Sequence, residues 1–143
     1  MTVLSDLKVP GPTVTQLSDP FWSAAEAGRL HIQCCQACGR HVFYPRPICP
    51  HCWADALVWG DVSGMARLKS FSTIWKPGHP GWRPVAPYVV GLAQLAEGPV
   101  MLSHILTGDR APQVGNSLRF APTQVGARML PLFELSQGTE TQP

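Results

Sequence analysis

Two closely spaced cysteine pairs constrain this chain more than any other feature. Cys35-Gln-Ala-Cys38 and Cys49-Pro-His-Cys52 each hold two residues between the thiols, and ten residues separate the pairs. Each pair can present two thiolates to one tetrahedral ion, so two pairs complete a four-sulfur shell. Gly39 allows the first turn to close, with backbone amides directed at the sulfurs. The spacing predicts a closed, structural Zn²⁺ site with these four cysteines as ligands.

A redox dithiol is the alternative use of such a pair. It would need one exposed pair at a helix start with a depressed pKa, and the nearby Pro45, Pro47 and Pro50 argue against a helix. Cys34 is left as a spare thiol without an assigned role. His51, inside the second pair, is interpreted as a solvated loop residue rather than a ligand.

Charge is sparse and almost balanced along the 143 residues. Eleven basic and nine acidic side chains give a net charge of +2, and only 14% of residues are charged. This favours neither nucleic acid nor an anionic membrane as partner. No apolar run approaches the ~20 residues of a membrane span, and the N-terminus lacks a secretory pattern, so we expect a cytoplasmic protein. A surface this poor in charge is also typical of one partly covered by a partner.

The segment before the cysteines predicts an extended arm followed by one short helix. Ser18-Asp19-Pro20 can start a helix, and Gly28 can end it. A helix this short is marginal in isolation. Its two large rings, Phe21 and Trp22, must therefore pack against something, in this chain or in another.

The sequence after the cysteines is typical of strands. Alternation predicts a strand over 62–75 with a bulge near Lys69, and a hairpin formed by 88–95 and 100–106. Segments 117–120 and 129–135 supply two more strands. Five strands in this length favour a small barrel, so the predicted fold is mainly β. The tail from Ser136 onward is polar, and we expect it to be flexible.

Seven short motifs follow one another in order over residues 18–135: Phe21-Trp22-x3-Glu26-Ala-Gly28-Arg29-Leu30, Cys35-x2-Cys38-Gly39, Pro47-x-Cys49-Pro50-x-Cys52, Ser63-Gly64, Pro87-Tyr88-Val89-Val90, Gly98-Pro99 and Pro131-x-Phe133. This ordered set resembles the DUF35 family. Ala66 stands where the family often has a second glycine. The resemblance implies an N-terminal arm with a short helix (1–29), a rubredoxin-like zinc ribbon (30–60), a five-stranded OB-fold barrel (61–136) and a flexible tail (137–143).

The resemblance also implies a function as a partner of thiolase-fold enzymes. These partners are thiolases, hydroxymethylglutaryl-CoA synthases, related acyltransferases, or retro-aldolases that shorten steroid side-chain CoA thioesters. The enzyme subunit carries the nucleophile, and the DUF35 subunit helps to bind or shield the acyl-CoA in a hetero-oligomer. The chain itself has no nucleophile elbow, phosphate loop or paired-carboxylate signature, so we expect it not to be catalytic alone.

Ligand and partner contacts are predicted at two places. The loop from Lys76 joins the first two barrel strands, a common ligand-binding edge of OB-folds; Lys76 and Arg83 could pair with CoA phosphates, and Trp75 and Trp82 could cover adenine or an acyl chain. The alternative is a proline-stiffened surface loop with two solvated cations. On the arm, Phe21 and Trp22 are the predicted partner contacts.

Two rival functions remain open at this stage. Zinc ribbons and OB-folds also bind single-stranded nucleic acid, and Phe71 and Trp75 with Arg67 and Lys69 could form a small platform for it. Scattered charge makes this less favoured. An independent enzyme acting on acyl thioesters is the third hypothesis, which turnover by the purified chain would establish.

Overall fold

A computed structural model describes residues 3–136 of the chain and shows a mainly β protein. The predicted flexible tail, 137–143, lies outside the described residues. Within residues 3–136, no helix is both long enough and apolar enough to cross a lipid bilayer. The helical elements are α1 (Asp19–Glu26) and two 3₁₀ helices, Leu4–Asp6 and Pro80–Val85. The strands are β1 (His31–Cys35), β2 (His41–Val42), β3 (Leu57–Asp61), β4 (Met65–Ile74), β5 (Tyr88–Leu95), β6 (Val100–Leu106), β7 (Ser117–Phe120), β8 (Thr123–Val125), β9 (Arg128–Leu130) and β10 (Phe133–Leu135).

Helix α1 confirms the predicted short helix. Pro20 lies in its first turn, where the missing N–H removes no helical hydrogen bond. Gly28 follows its end with a φ of 87°, a left-handed conformation that glycine adopts without steric cost. The helix buries Phe21, Ala24 and Ala25, so it presents one face to the protein interior.

The cysteine region is built on a small antiparallel sheet with the order β2-β1-β3. Strand β1 is central, pairing with β2 through Cys34 and His41 and with β3 along its whole length. At one end of the β1–β3 ladder, Asp61 accepts from Arg29 and pairs with His31, with both contacts at 2.7 Å. At the other end, Cys35, the last residue of β1, pairs with Leu57 of β3, so the ladder holds the first cysteine in place.

The five-stranded barrel that the resemblance implies is present and closed. Its strand order is β10-β6-β5-β4-β7, with β7 returning to β10. All pairs are antiparallel except β10 with β6. The register of β4 shifts between Leu68 and Ser70, which confirms the bulge predicted near Lys69. Gly91 faces this bulge, because a Cβ there would lie 2.7 Å from Leu68 Cδ1.

The predicted single strand over 129–135 is wrong. The segment divides into β9, which pairs with β8 in a separate hairpin, and β10, which closes the barrel. Pro131 lies at the division and cannot donate to a ladder. The adjacent Leu132 is buried with Leu7 and Val125 in a second core. Packing into two different cores breaks the strand.

The N-terminal arm packs along the barrel. Leu7 is only 5% exposed, and the Gly126 amide donates to the Leu4 carbonyl at 3.0 Å. The arm therefore covers the β8–β9 hairpin, which lies beside the barrel.

One hydrophobic core joins the helix, the small sheet and the barrel. It contains Phe21 of α1 and Leu30 and Ile32 at β1, together with barrel residues such as Leu118 and Phe133. Each of these five side chains is at most 2% exposed. Strand β1 thus packs on the barrel core, whereas Cys35, Val42 and Cys49 form a separate small core at the cysteine turns.

Candidate functional site

The first cysteine pair lies in a tight turn at the end of β1. The Gly39 amide donates to the Cys35 carbonyl at 2.8 Å, and Gly39 has a φ of 79°. A residue with a Cβ is strained in this left-handed conformation, which explains the glycine after Cys38. Cys35 is fully buried and Cys38 is exposed. The first turn thus places one ligand inside and one at the surface.

The second pair repeats this turn with a different closing residue. The Trp53 amide donates to the Cys49 carbonyl at 2.9 Å, and the His51 amide donates to Cys49 Sγ at 3.4 Å. Trp53 has a φ of 69° and occupies the position that Gly39 takes in the first turn. Its ring is 79% exposed, so little packing compensates for the strain.

The four sulfurs converge on one point. All lie within 4.8 Å of one another, and the cysteines form no disulfide. The Cys35–Cys52 and Cys38–Cys49 Sγ–Sγ distances are 3.6 and 3.7 Å. Zn–S bonds of about 2.3 Å at tetrahedral angles place sulfurs roughly 3.8 Å apart. The donor set and the spacing therefore fit Zn²⁺, and four thiolates leave no open position for chemistry.

The pKa values of the thiols show why this cluster needs a cation. Burial raises the pKa of Cys49, but hydrogen bonds from the Cys52 and His51 amides and from neighbouring thiols lower it to about 7. The Ala54 amide lowers the pKa of Cys52, whereas burial and the three neighbouring thiols raise it to about 11. Four thiolates this close repel one another, so such a shell needs a compensating positive charge, which a divalent metal supplies.

Cys34 and His51 lie outside the sulfur cluster. The Cys34 thiol donates to the Gly39 carbonyl at 3.7 Å. His51 Nδ1 lies 3.3 Å from the Arg40 guanidinium, so the imidazole contacts a cation.

A cleft of about 750 Å³ separates the cysteine turns from the β5–β6 hairpin. Its polar lining consists of Arg40, His41, Arg46, His51 and Glu97. Sequence reasoning did not single out this group, because Glu97 is far along the chain from the other four. The available signal was local: both arginines lie between the two cysteine pairs, on turns that the metal would hold in place.

The four predicted ligand residues occupy the β4–β5 connection but do not all point to solvent. Trp75 is 74% exposed, and Lys76 and Arg83 are also exposed. Trp82 instead packs against Tyr88 and His104 of the chain itself, with ring centroids 5.2 and 5.8 Å away. Trp82 therefore stabilises the loop in addition to any ligand contact.

His104 lies at the centre of that aromatic cluster. Its ring stacks on Tyr88 at 5.1 Å, and its Nδ1 is buried without a hydrogen-bond partner among the described residues. Burial lowers the pKa of His104 to about 4. The imidazole is neutral at pH 7, which suits a structural role.

The two predicted partner contacts on α1 differ in burial. Phe21 is 1% exposed and packs against Trp22, Phe43 and Tyr44, with centroids 4.9, 5.3 and 6.0 Å away. The chain itself thus covers Phe21, and the physical reason for a partner contact there is removed. Trp22 is half-buried and donates its indole N–H to the Tyr44 hydroxyl at 3.1 Å. Only Trp22 retains surface that a partner can reach.

Comparison with known families matches the two halves of this architecture separately. Residues 22–58 match "ChsH2, rubredoxin-like zinc ribbon domain", and residues 59–129 match "ChsH2, C-terminal OB-fold domain". The chain belongs to the DUF35 family of ChsH2-like proteins. The four clustered cysteines of this DUF35 chain lie within the zinc-ribbon match, and the closed barrel corresponds to the OB-fold match.

Two curated relatives share part of the DUF35 chain. A "Probable enoyl-CoA hydratase alpha subunit" of Thermomonospora curvata is 33% identical over 98 residues, which cover 68% of this chain. A "DUF35 domain-containing scaffold protein" of Methanothermobacter thermautotrophicus is 37% identical over 76 residues, which cover 52% of it. The chain spans 30% of the length of the first relative and 56% of the second.

Two solved structures have the same fold. A chain of the "Ltp2-ChsH2(DUF35) aldolase" superposes with a TM-score of 0.75 at 27% identity, covering 87% of this chain and 98% of that one. A DUF35-family protein of unknown function from Sulfolobus solfataricus superposes with a TM-score of 0.60 at 14% identity, covering 82% and 84%. The likeness extends over the ribbon and the barrel together.

Proposed function

We propose that this chain is a non-catalytic accessory subunit of a thiolase-fold enzyme that acts on CoA thioesters. One observation carries the proposal: the chain superposes over 87% of its length on nearly the whole of a chain from the Ltp2–ChsH2 aldolase. The names of the curated relatives, a scaffold protein and a hydratase subunit, are in keeping with an accessory role. In this role Zn²⁺ holds the ribbon, and the partner enzyme supplies the nucleophile.

Within this proposal, acyl-CoA binding keeps its predicted residues, and of the two predicted partner residues the buried Phe21 acts only by supporting Trp22. Trp75, Lys76, Trp82 and Arg83 are the ligand residues predicted on the loop. Trp22 is the partner residue favoured by its partial exposure. The nucleic-acid alternative gains no support, because Phe71 packs on the barrel core and Arg67 donates to the Gly115 carbonyl at 3.1 Å.

Co-expression tests the accessory role. The chain is produced with candidate thiolase-fold proteins from the same genome, and size-exclusion chromatography is expected to show a stable hetero-oligomer with one of them. Trp22→Ala should weaken this complex, whereas Val114→Ala, which alters a 67% exposed side chain elsewhere, should not. Thermal melting of both variants separates a lost contact from lost folding.

Two results would contradict the proposal. If the two proteins elute separately under all conditions in which both are folded, the accessory role is refuted. If the purified chain alone turns over acyl-CoA, and a single side-chain change abolishes that turnover, the chain is an independent enzyme.

A further inference from the structure

The ribbon–barrel cleft is lined by more positive than negative charge. Arg40 and Arg46 come from the ribbon side, and Glu97, from the β5–β6 turn, is the only carboxylate in its lining. Two guanidinium groups against one carboxylate leave one net positive charge among these three side chains. The low-dielectric walls of a cleft focus such a field relative to a flat surface.

Neither arginine is neutralised by a carboxylate within the described residues, although the Arg40 guanidinium lies 3.3 Å from His51 Nδ1. Among residues 3–136, the ion pairs are Arg29–Asp61, His31–Asp61 and Arg119–Glu134, and neither Arg40 nor Arg46 takes part. On most protein surfaces an arginine without an ion pair is simply solvated. The absence of an ion pair therefore supports anion binding only because both side chains line the cleft.

Arg46 is held on a fixed backbone. The buried Gln33 side chain accepts from the Arg46 amide at 2.7 Å and donates to the Arg46 carbonyl at 2.9 Å. Gln33 is 4% exposed, so these two hydrogen bonds are shielded from water. Arg40 is fixed in a similar way, because its carbonyl accepts from the Cys35 amide at 2.9 Å. The two guanidinium groups therefore project from backbone positions that the ribbon sheet and its metal site determine.

The opposite wall carries an unsatisfied polar atom. Glu97 Oε2 accepts from the Ser63 amide at 3.0 Å, whereas its Oε1 is buried without a hydrogen-bond partner in the described part of the chain. Buried carboxylate oxygens are almost always hydrogen-bonded in folded proteins. This acceptor needs a hydrogen-bond donor and its negative charge repels an anion, so an anion in the cleft is expected on the arginine side, away from Glu97.

We propose that this cleft binds the phosphate groups of the CoA moiety, with Arg40 and Arg46 as the phosphate ligands. The inference rests on the proposed function for the identity of the ligand, but its location comes from the geometry of the cleft. Arginine offers planar, bidentate donors that match phosphate oxygens. A volume of about 750 Å³ lies within the range of pockets that hold nucleotide-sized ligands. The site differs from the predicted loop cations, Lys76 and Arg83.

Binding measurements on the zinc-loaded chain, alone and in its co-purified complex, test the site. Isothermal titration uses four probes: CoA, dephospho-CoA, ADP and pantetheine, which has no phosphate. We expect affinity to fall from CoA to dephospho-CoA to pantetheine. Arg40→Gln with Arg46→Gln should weaken CoA binding at least tenfold and leave pantetheine binding unchanged. ADP binding that depends on the same arginines also supports the site and shows that the nucleotide part alone is recognised.

Matched variants distinguish this site from the loop and from misfolding. Lys76→Ala with Arg83→Ala removes the same number of charges at the loop, so it tests the rival location for the phosphates. Lys8→Ala with Lys69→Ala removes two exposed charges outside both sites and should change CoA affinity less than threefold. Glu97→Gln removes the opposing negative charge while it keeps an acceptor for Ser63, so it should tighten CoA binding. A gain in CoA affinity cannot result from misfolding or from loss of zinc. The Glu97 variant therefore tests the site even if an arginine variant loses zinc.

Three results would overturn the inference. They are unchanged CoA affinity in the arginine variant, equal affinity for CoA and pantetheine, and loss of CoA binding in the loop variant alone. Each of them can occur while the hetero-oligomer still forms, so failure of the phosphate site is distinguishable from failure of the accessory role.

Discussion

Replacement of Phe21 by alanine tests whether helix α1 belongs to the folded core or serves mainly as a surface for a partner. Phe21 is 1% exposed and lies in the core that joins α1, β1 and the barrel. Its ring contacts three aromatic neighbours, of which Trp22 is edge-on at 4.9 Å. Truncation leaves a cavity that these rings cannot readily fill, because Phe43 and Tyr44 are fixed by their own contacts with each other.

The expected cost is large relative to the stability of a domain of this size. Complete burial makes Phe21→Ala a full large-to-small core change, which costs about 3–5 kcal/mol. Total stabilities are commonly about 5–15 kcal/mol. Phe21→Leu keeps most of the volume and should cost about 1–1.5 kcal/mol. The ratio of the two losses of unfolding free energy, rather than either value alone, identifies a packed core position.

Urea denaturation of the zinc-loaded chain, followed by far-UV circular dichroism, measures both free energies. Trp53→Ala is the matched control, because it removes a larger ring that is 79% exposed and should cost less than 1 kcal/mol. If Phe21→Ala lowers the unfolding free energy by less than 1 kcal/mol but abolishes complex formation, α1 is a docking element and the packing argument is refuted.

Three further predictions concern the metal site, the buried imidazole and the two turns. Cys35→Ser with Cys49→Ser should abolish zinc binding and unfold the ribbon; full zinc content by atomic emission in the folded variant would contradict the site. His104 has a pKa of about 4 against an ordinary 6.5, so the unfolded chain takes up a proton that the folded chain refuses between these values. The neutral imidazole therefore contributes about 3 kcal/mol to the free energy of unfolding above pH 6.5, and this contribution is lost as the pH falls toward 4. Urea melts of His104→Gln should show a weaker loss of stability over this pH range. An unchanged slope would contradict the burial of a neutral imidazole. Gly39→Ala should destabilise the chain by about 1 kcal/mol, and Trp53→Gly should stabilise it by up to about 1 kcal/mol, because both positions have left-handed φ values; thermal shifts of the same sign would contradict the equivalence of the turns.

Local sequence patterns were sufficient where the structure depends on local chemistry. The hairpin over 88–95 and 100–106 has the predicted bounds, because alternation and a short glycine-containing turn define it without distant contacts. The bulge in β4 was visible as a change of alternation phase near Lys69. The cysteine spacing likewise brought the four predicted ligands together, since each pair needs only one tight turn.

Features that depend on contacts between distant segments could not be predicted from local sequence patterns. Segment 129–135 alternates like one strand, yet Leu132 and Phe133 enter two different cores. Phe21 looked like a ring in need of a partner because Phe43 and Tyr44, its actual cover, lie beyond the first cysteine pair. The basic cleft was missed for the same reason. Its arginines and Glu97 meet only when the ribbon is placed against the β5–β6 turn.

Strand β1 couples the metal site to the barrel core. Strand β1 contributes Ile32 to the core and ends at Cys35 three residues later, so metal binding and core packing act on the same short, stiff segment. Loss of zinc would free the end of β1 and the turns that carry Arg40 and Arg46, while the barrel wall with Glu97 stays in place. A structural metal can thus control the shape of the cleft without contacting a ligand, and CoA affinity should depend on zinc occupancy before the barrel itself unfolds.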